Sequence, residues 1–321
     1  MPEFGPSPAY CVCVHLCSSV VAEMPVKVGL VGLGRWGANY VATLPEVPGC
    51  TLAGVADSSE TAIAQSRVAC PKFARLEDLL SLAGLDAVVV ATPDPTHYEF
   101  SLRCLESGRH VLVEKPMTRD STEAAELVAL AESRGLVLAV GHVALYHIGI
   151  EHLRALVKNA EAPQEVAALR TSRGPAASSE ASLPLWDLGP HDVATTISLF
   201  GEPGSVRARQ LGKTLRLEMF LPGGLQAALD CAYRPGPAER WLRISAGSVT
   251  VEHRETGGPL APAEMPLFRQ CADFVQCCLS GLEPLSSGRL GLQVTQCLEA
   301  AERSLGKTGR WVPVLEHALC T

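Results

Sequence analysis

The side chains best suited to chemistry in this sequence are one lysine at the end of an apolar run and one acid–imidazole pair. Lys115 follows the run 110–113 in the segment HVLVEKPM, and Asp187 stands four residues before His191 in WDLGPHD. Residues four apart share one face of a helix, so a carboxylate at 187 would orient an imidazole at 191. Such a pair suits a general base that takes a proton from an alcohol, with His191 as the base and Asp187 as its partner. The alternative is a helix-capping Asp187 beside an incidental histidine.

A glycine motif with phosphate-binding spacing lies near the start of the chain. The segment GLGRWG, residues 32–37, directly follows the apolar run 26–31 and opens an amphipathic stretch. In a βαβ unit these glycines permit a tight turn, a close approach to a pyrophosphate and close helix–strand packing. The segment therefore predicts a dinucleotide site, and a glycine-rich turn without a ligand is the alternative. Its candidate cofactor-binding residues are Gly32, Gly34, Arg35, Trp36 and Gly37.

Asp57 ends the next apolar run, twenty residues after Gly37. A carboxylate at this position accepts hydrogen bonds from the ribose hydroxyls and repels a 2'-phosphate. We therefore predict NAD as the cofactor. Arg35 and the serines after Asp57 weigh against this preference, because a nearby guanidinium is how such sites accommodate the phosphate of NADP.

From residue 25 to about residue 144, short β-branched runs alternate with amphipathic stretches, which predicts a doubly wound parallel sheet of the Rossmann type. The predicted strands are 26–31, 51–56, 72–74, 86–91, 110–113 and 136–140. Ligands of such sheets lie at the carboxyl ends of the strands. This adds further expected cofactor contacts, which are Thr92, Pro93, His97, Glu114 and Lys115.

The remaining residues, 145–321, predict a second, α+β domain. A helix at 148–158 precedes six short strands, and turn sequences such as Pro222-Gly223-Gly224 indicate a mostly antiparallel sheet. Closing helices are predicted at 266–280 and 288–305, without an assigned packing partner. Four arginines on or beside this sheet are either solvated or available to a diphosphate or carboxylate. They are Arg170, Arg173, Arg240 and Arg243.

Composition excludes several classes of protein. The 321 residues include 27 basic and 34 acidic side chains, a net charge of −7, so nucleic acid is not an expected partner. The 12 cysteines are scattered through apolar runs, which favours a reduced, cytoplasmic protein without disulfides. A cluster at Cys11, Cys13 and Cys17 lacks the paired spacing of a zinc site, and no metal is predicted.

Residues 1–24 are expected to be a disordered leader or extension. The uncharged stretch 4–22 approaches the length of a membrane span, but glycines and prolines interrupt it and no basic residue precedes it. The same lack of a basic flank disfavours a secretory signal peptide. We therefore predict no membrane partner.

The motifs VKVGLVGLGRWG, ATPDPTH, VLVEKPM and WDLGPHD, with Asp57 among them, occur in an order and at spacings that resemble the Gfo/Idh/MocA family of nicotinamide-dependent sugar and polyol oxidoreductases. The resemblance extends from residue 25 to about residue 315. It implies that Lys115 lies beside the nicotinamide and the reacting hydroxyl, and that Asp187 and His191 form the second catalytic motif. The chain departs from the family at 144–146, where Ala-Leu-Tyr replaces a segment with a basic residue.

The function implied by this resemblance is an NAD-dependent dehydrogenase of a sugar-like secondary alcohol. The sequence of the WDLGPHD motif is most similar to that of nucleotide-sugar 3-dehydrogenases, of the type that acts on UDP-N-acetylglucosaminuronic acid. An inositol or free-sugar dehydrogenase stays open, as does a non-catalytic ligand-sensing protein on the same fold. The resemblance also implies a homodimer or homotetramer.

Overall fold

The computed structural model describes residues 24–159, 163, 165–173, 184–246, 248–255 and 260–314. The predicted leader, including its three cysteines, lies outside these ranges apart from Met24. Within them the chain forms one six-stranded and one seven-stranded sheet. Over the same ranges, no helix combines the length and the hydropathy that crossing a bilayer requires.

The first sheet is the parallel Rossmann-type sheet that the sequence predicts. Its strands are β1 (Val26–Val31), β2 (Cys50–Ala56), β3 (Lys72–Phe73), β4 (Ala87–Val90), β5 (His110–Val113) and β6 (Leu138–Val140). The helices that follow them are α1 (Arg35–Thr43), α2 (Glu60–Gln65), α3 (Leu76–Leu80), α4 (His97–Glu106) and α5 (Ser121–Ser133). The strand bounds lie within two residues of the predicted ones.

The order of this sheet, β3-β2-β1-β4-β5-β6, reverses direction between β1 and β4. The described pairings between its strands are all parallel. At such a reversal the connecting helices leave the sheet on opposite faces, so a crevice opens at the carboxyl ends of the two strands. The glycine segment 32–37 follows β1 at this crevice.

The second sheet is mostly antiparallel, as predicted for the second half of the chain. Its strands are β7 (Glu165–Ser172), β8 (Ser205–Leu211), β9 (Thr214–Phe220), β10 (Gln226–Tyr233), β11 (Arg240–Ala246), β12 (Val249–Arg254) and β13 (Val312–Pro313). Their order is β12-β11-β7-β10-β9-β8-β13, and β7 pairs with β10 in parallel. The helices of this part are α6 (Ile148–Asn159), α7 (Pro184–Asp187), α8 (Gly189–Phe200), α9 (Pro266–Ser280) and α10 (Gly288–Gly306).

The two closing helices connect the halves of the molecule. Helix α9 returns to the first sheet, where Cys271, Phe274 and Val275 are buried in the same apolar cluster as β1. Helix α10 serves both cores, with Leu292 in a cluster of the first sheet and Leu298 in that of the second. The crevice of the first sheet and helices α7 and α8 are therefore held in one packed body.

Candidate active site

The glycine segment forms a tight turn between β1 and α1. Gly32 has a φ of +93°, and a Cβ there would lie 2.5 Å from the carbonyl oxygen of Ala91. A Cβ on Gly37 would lie 1.9 Å from the carbonyl oxygen of Gly32, so this glycine permits close packing. Gly34 differs, because a Cβ there would meet nothing within 4 Å. The turn thus leaves an open stretch of backbone at the start of α1, where a pyrophosphate can approach.

Asp57 lies directly beside this turn. Its Oδ2 accepts a hydrogen bond from the backbone N–H of Leu33 at 2.6 Å, and its Oδ1 accepts one from that of Ser59 at 2.7 Å. A carboxylate oxygen accepts two hydrogen bonds, so each keeps capacity for a ribose hydroxyl. The backbone contacts therefore fix the carboxylate where an adenosine ribose would bind.

A cavity of about 930 Å³ connects these features, a size that suits a cofactor. It is lined by all but one of the predicted cofactor contacts, which are Gly32, Gly34, Arg35, Trp36, Asp57, Thr92, Pro93, His97, Glu114 and Lys115. Gly37 does not line it and acts in packing. Trp186 and Asp187 also line the cavity. An open backbone at a helix start, a carboxylate after β2 and a cavity of this size together fit a dinucleotide. This space is called the NAD cavity, after the cofactor predicted from Asp57.

His97 and Glu114 fix the loops on either side of Lys115. The ring nitrogens of His97 lie 2.7 Å from the carbonyl oxygen of Pro116 and 2.8 Å from that of Thr92. Glu114 accepts a hydrogen bond from the Tyr40 hydroxyl at 2.7 Å, and burial raises the pKa of this carboxyl. The peptide bond between Lys115 and Pro116 is cis. The contacts of His97 and Glu114 therefore fix the backbone from which the Lys115 side chain extends at the end of β5.

Lys115 reaches across to the second half of the chain. Its Nζ donates hydrogen bonds to the main-chain oxygen of Asp187 at 2.7 Å and to Oδ1 of the same residue at 3.1 Å. Tyr233, the last residue of β10, donates its hydroxyl to Oδ2 at 3.0 Å. Burial would raise the pKa of Asp187, but the charge of Lys115 and these hydrogen bonds outweigh it and hold the pKa below its usual range. Asp187 is therefore ionised and holds the ammonium beside the cavity.

His191 lies in the first turn of α8 and is 9% exposed. Its Nδ1 is sealed from solvent and has no hydrogen-bond partner among the described residues. Burial is the main reason that the pKa of His191 lies well below its usual range, and the cations of Arg170 and Lys115 act in the same direction. The imidazole is therefore neutral at pH 7 and free to accept a proton.

The predicted contact between Asp187 and His191 is wrong. Helix α7 ends at Asp187 and α8 begins at Gly189, so the four-residue spacing spans a break between two helices. Side chains at i and i+4 stack only along a continuous helix. The hydrogen bonds of the Asp187 carboxylate go to Lys115 and Tyr233 instead. Asp187 is thus a partner of the lysine, and among the described residues no carboxylate is hydrogen-bonded to Nδ1 of the imidazole.

The position of His191 depends on its neighbour Asp192, which anchors α8 in a buried ion network. Arg170 on β7 donates from Nη2 to Asp192 Oδ1 at 2.8 Å and to Glu255 Oε1 at 2.7 Å. Burial alone would lower the pKa of Arg170, but the two carboxylates outweigh it and raise it further above its usual value. This arginine is therefore occupied within the chain and is not available to a diphosphate. Roles for Asp192 and Glu255 were not predicted from the sequence, although Asp192 directly follows His191 in the WDLGPHD motif.

The other three arginines considered as anion ligands also have partners. Arg240 Nη1 donates to Glu255 at 3.4 Å, Arg243 pairs with Glu252 at 2.6 Å, and Arg173 Nε donates to a backbone carbonyl. Among the described residues no group of three or more His, Cys, Asp or Glu side chains is arranged to hold a metal ion.

Comparison with known proteins identifies the first half of the chain. Residues 26–142 match a family model described as "Oxidoreductase family, NAD-binding Rossmann fold". These residues belong to the Gfo/Idh/MocA family. The Gfo/Idh/MocA domain of this chain is thus an NAD-binding domain, in agreement with the cofactor predicted from Asp57.

Curated relatives of the Gfo/Idh/MocA domain include two kinds of dehydrogenase. A UDP-N-acetylglucosamine 3-dehydrogenase of Acidithiobacillus ferrooxidans is 34% identical over 189 residues, which are 57% of this chain and 57% of that protein. An inositol 2-dehydrogenase of Rhodococcus jostii is 33% identical over 184 residues, which are 55% of this chain and 50% of that protein. The matched part thus spans between half and three fifths of these relatives.

Solved structures resemble the chain over a longer range. The structure of the Acidithiobacillus ferrooxidans UDP-N-acetylglucosamine 3-dehydrogenase has a TM-score of 0.75 and 25% identity, and the match covers 89% of this chain and 99% of that one. The scyllo-inositol dehydrogenase of Lactobacillus casei, solved with NAD(H) and scyllo-inositol, has a TM-score of 0.79 and 17% identity, and the match covers 90% and 99% of the two chains. The second likeness shows the fold alone.

The open backbone at Gly34 gives a test of the cofactor site. We expect Gly34→Ala to leave the free energy of unfolding unchanged, because its Cβ enters open space, and to weaken NADH binding by about tenfold or more, because that Cβ occupies the approach of the pyrophosphate. NADH fluorescence titration and thermal unfolding measure the two effects. Gly204→Ala is the matched control, since a Cβ there also meets nothing within 4 Å. Equal NADH affinity in both variants would contradict this assignment.

Proposed function

We propose that this protein is an NAD-dependent dehydrogenase that acts on a secondary alcohol of a sugar or nucleotide sugar. The observation that carries the proposal is the placement of Lys115. Its side chain lines the NAD cavity and is hydrogen-bonded to Asp187 of the second half of the chain. The neutral imidazole of His191 lies close enough for the lysine charge to lower its pKa. A proton acceptor thus lies within electrostatic reach of a lysine that lines the cofactor cavity.

The roles of the side chains follow from their surroundings. His191 Nδ1 is sealed from solvent, which leaves Nε2 as the nitrogen that takes the hydroxyl proton. Lys115 donates a hydrogen bond to the same oxygen and stabilises the negative charge that develops there. Asp187, held by Tyr233, keeps the Lys115 side chain in place. Bound NAD supplies the hydride acceptor.

The choice of substrate class rests on the relatives. Their names describe dehydrogenases of a nucleotide sugar at position 3 and of inositol at position 2. Both substrates are polyhydroxylated rings. We favour the nucleotide sugar, because the solved UDP-N-acetylglucosamine 3-dehydrogenase is 25% identical to the chain, against 17% for the scyllo-inositol dehydrogenase over a similar range. An inositol dehydrogenase is the second candidate, favoured by several of the curated relatives.

A substrate panel tests the proposal. Purified protein with NAD is mixed with UDP-N-acetylglucosamine, its uronic acid, myo-inositol, scyllo-inositol and glucose, and absorbance is followed at the wavelength of reduced nicotinamide. We expect turnover of at least one of these compounds, and its loss in Lys115→Met. A protein that binds NADH but turns over none of them would contradict the proposal and favour a ligand-sensing protein on this fold.

A further inference from the structure

Tyr40 carries a buried hydroxyl to which the mechanism above gives no role. It lies on α1 and is fully buried, and its hydroxyl donates a hydrogen bond to Glu114 Oε1 at 2.7 Å. The same hydroxyl accepts a hydrogen bond from Nε2 of Gln270, a buried residue of α9, at 3.3 Å. A phenol oxygen can serve as donor and acceptor at once. Tyr40 therefore connects the closing helix α9 with the end of β5.

Glu114 extends this connection to the backbone of Lys115. Its Oε2 accepts a hydrogen bond from the backbone N–H of Lys115 at 3.2 Å. A Cβ on Gly141, which follows β6, would lie 2.9 Å from the same oxygen, so the carboxyl group is enclosed on that side as well. An ionised acceptor makes a stronger hydrogen bond than a neutral one. The carboxylate form of Glu114 therefore holds the Lys115 peptide more tightly than the neutral acid does.

The charge of Glu114 depends on the groups around it. Burial raises the pKa of this carboxyl, whereas the hydrogen bond from Tyr40, the charge of Lys115 and the backbone N–H of Lys115 lower it. Cys271 of α9 lies within electrostatic reach of Glu114. Burial raises the pKa values of Cys271 and Tyr40, so both are neutral at pH 7. Tyr40 is thus the neutral donor, and Lys115 the cation, that favour the ionised form of Glu114.

We propose that Tyr40 is a positioning residue that acts on Lys115 through the Glu114 carboxylate. Without the hydroxyl, Glu114 Oε1 loses its donor, and the buried acid takes up a proton from solvent at a higher pH. The neutral acid holds the Lys115 peptide less tightly, so the lysine is placed less accurately against the reacting oxygen. The inference rests on the proposed function, since it assumes that Lys115 contacts the substrate hydroxyl.

Tyr40→Phe tests the inference, because it keeps the buried ring and removes only the hydroxyl. The value of kcat is measured with NAD and the best substrate of the panel between about pH 5 and pH 9, together with the unfolding midpoint. Glu114→Gln and the double variant remove the titrating group. Tyr98→Phe is the matched control, since the Tyr98 hydroxyl donates to Glu126 at 2.6 Å and neither of these residues lines the NAD cavity.

We expect the acidic decline of kcat in Tyr40→Phe to lie about one pH unit or more above that of the wild type, because a hydrogen bond to a charged group is lost. At the alkaline end of the range, kcat should approach the wild-type value, since Glu114 is ionised there in both proteins. Tyr98→Phe should match the wild type. In the Glu114→Gln background, adding Tyr40→Phe should not shift the profile.

The shape of the pH profile separates positioning from packing. An equal loss of kcat at every pH in Tyr40→Phe would assign Tyr40 to packing and overturn the inference, and so would an unchanged profile. A shift that persists in the Glu114→Gln background would assign the titration to another group and also overturn it. If Tyr40→Phe does not fold, Gln270→Met removes the other hydrogen bond of the hydroxyl and should give a smaller shift in the same direction. The absence of that shift would then overturn the inference.

The failure of this inference is distinguishable from that of the proposed function. A wild-type protein without turnover of any compound in the panel overturns the proposed function and this inference with it. A wild-type protein that turns over a sugar, with the same pH profile as Tyr40→Phe, overturns this inference alone.

Discussion

Replacing His191 by alanine is expected to lower kcat by about 10²- to 10⁴-fold, the usual contribution of a positioned general base. The structure supports this role because the ring is neutral and lies within the electrostatic reach of Lys115. NADH binding should be unaffected, since His191 does not line the NAD cavity. Steady-state kinetics with the best substrate of the panel measure the loss of kcat, and NADH fluorescence titration measures the NADH dissociation constant.

The pH dependence of the wild type tests the same assignment. An ordinary histidine has a pKa of about 6.5, whereas burial holds that of His191 well below this value. The base thus stays unprotonated as the pH falls through 6.5, and kcat/KM should remain level there and decline only at lower pH. His152→Ala is the matched control for His191→Ala, because it also removes an imidazole, but one that is exposed on α6. Near wild-type kcat in His191→Ala, or a decline centred near 6.5, would remove His191 from the mechanism.

Replacing Arg170 by methionine is expected to lower the free energy of unfolding by about 3–5 kcal/mol, the cost of breaking a buried ion pair by removing one partner. The side chains of Arg170, Asp192 and Glu255 are 7%, 8% and 11% exposed. Without the guanidinium, Asp192 is left as a buried carboxylate without its cation. The loss should appear as a lower midpoint in urea unfolding.

A surface arginine of the same sheet provides the control for this variant. Arg216 pairs with Asp230 at 2.7 Å, but its side chain is 38% exposed, so Arg216→Met should change the free energy of unfolding by only about 0–1 kcal/mol. Adding Asp192→Asn to Arg170→Met should recover part of the loss, because it removes the unpaired charge. Equal losses of unfolding free energy in Arg170→Met and Arg216→Met would show that the buried network does not hold α8.

The features predicted correctly are those set by residues close together in the sequence. The strands of the Rossmann sheet are continuous apolar runs that end at turn residues, and the turn at 32–37 requires glycine at Gly32 for its positive φ. Their bounds and their parallel arrangement therefore follow from local pattern and chain connectivity. The lining of the dinucleotide cavity could be predicted for the same reason, because it comes from the loops after successive strands.

The features that were missed depend on contacts between distant parts of the chain. The break at Leu188 is followed by Gly189-Pro190, which starts α8, but the four-residue spacing was read as one continuous helix, so Asp187 was assigned to the wrong partner. Tyr233 lies near Asp187 because helix α7 packs against strand β10, which lies 39 or more positions further along the chain. The ion network of Arg170 joins residues 22 and 85 positions apart. Hydrophobic periodicity indicates which face of a helix is buried, but not against what it packs.

The return of α9 to the first sheet makes the two halves of the polypeptide interdependent. A fragment cut after residue 144 would carry every strand of the dinucleotide domain, yet it would lack the wall that Cys271, Phe274 and Val275 supply to the interior around β1. The exposed apolar area would favour self-association of such a fragment. We therefore expect cofactor binding to require the closing helices, and the N-terminal half to fail as a transplantable module.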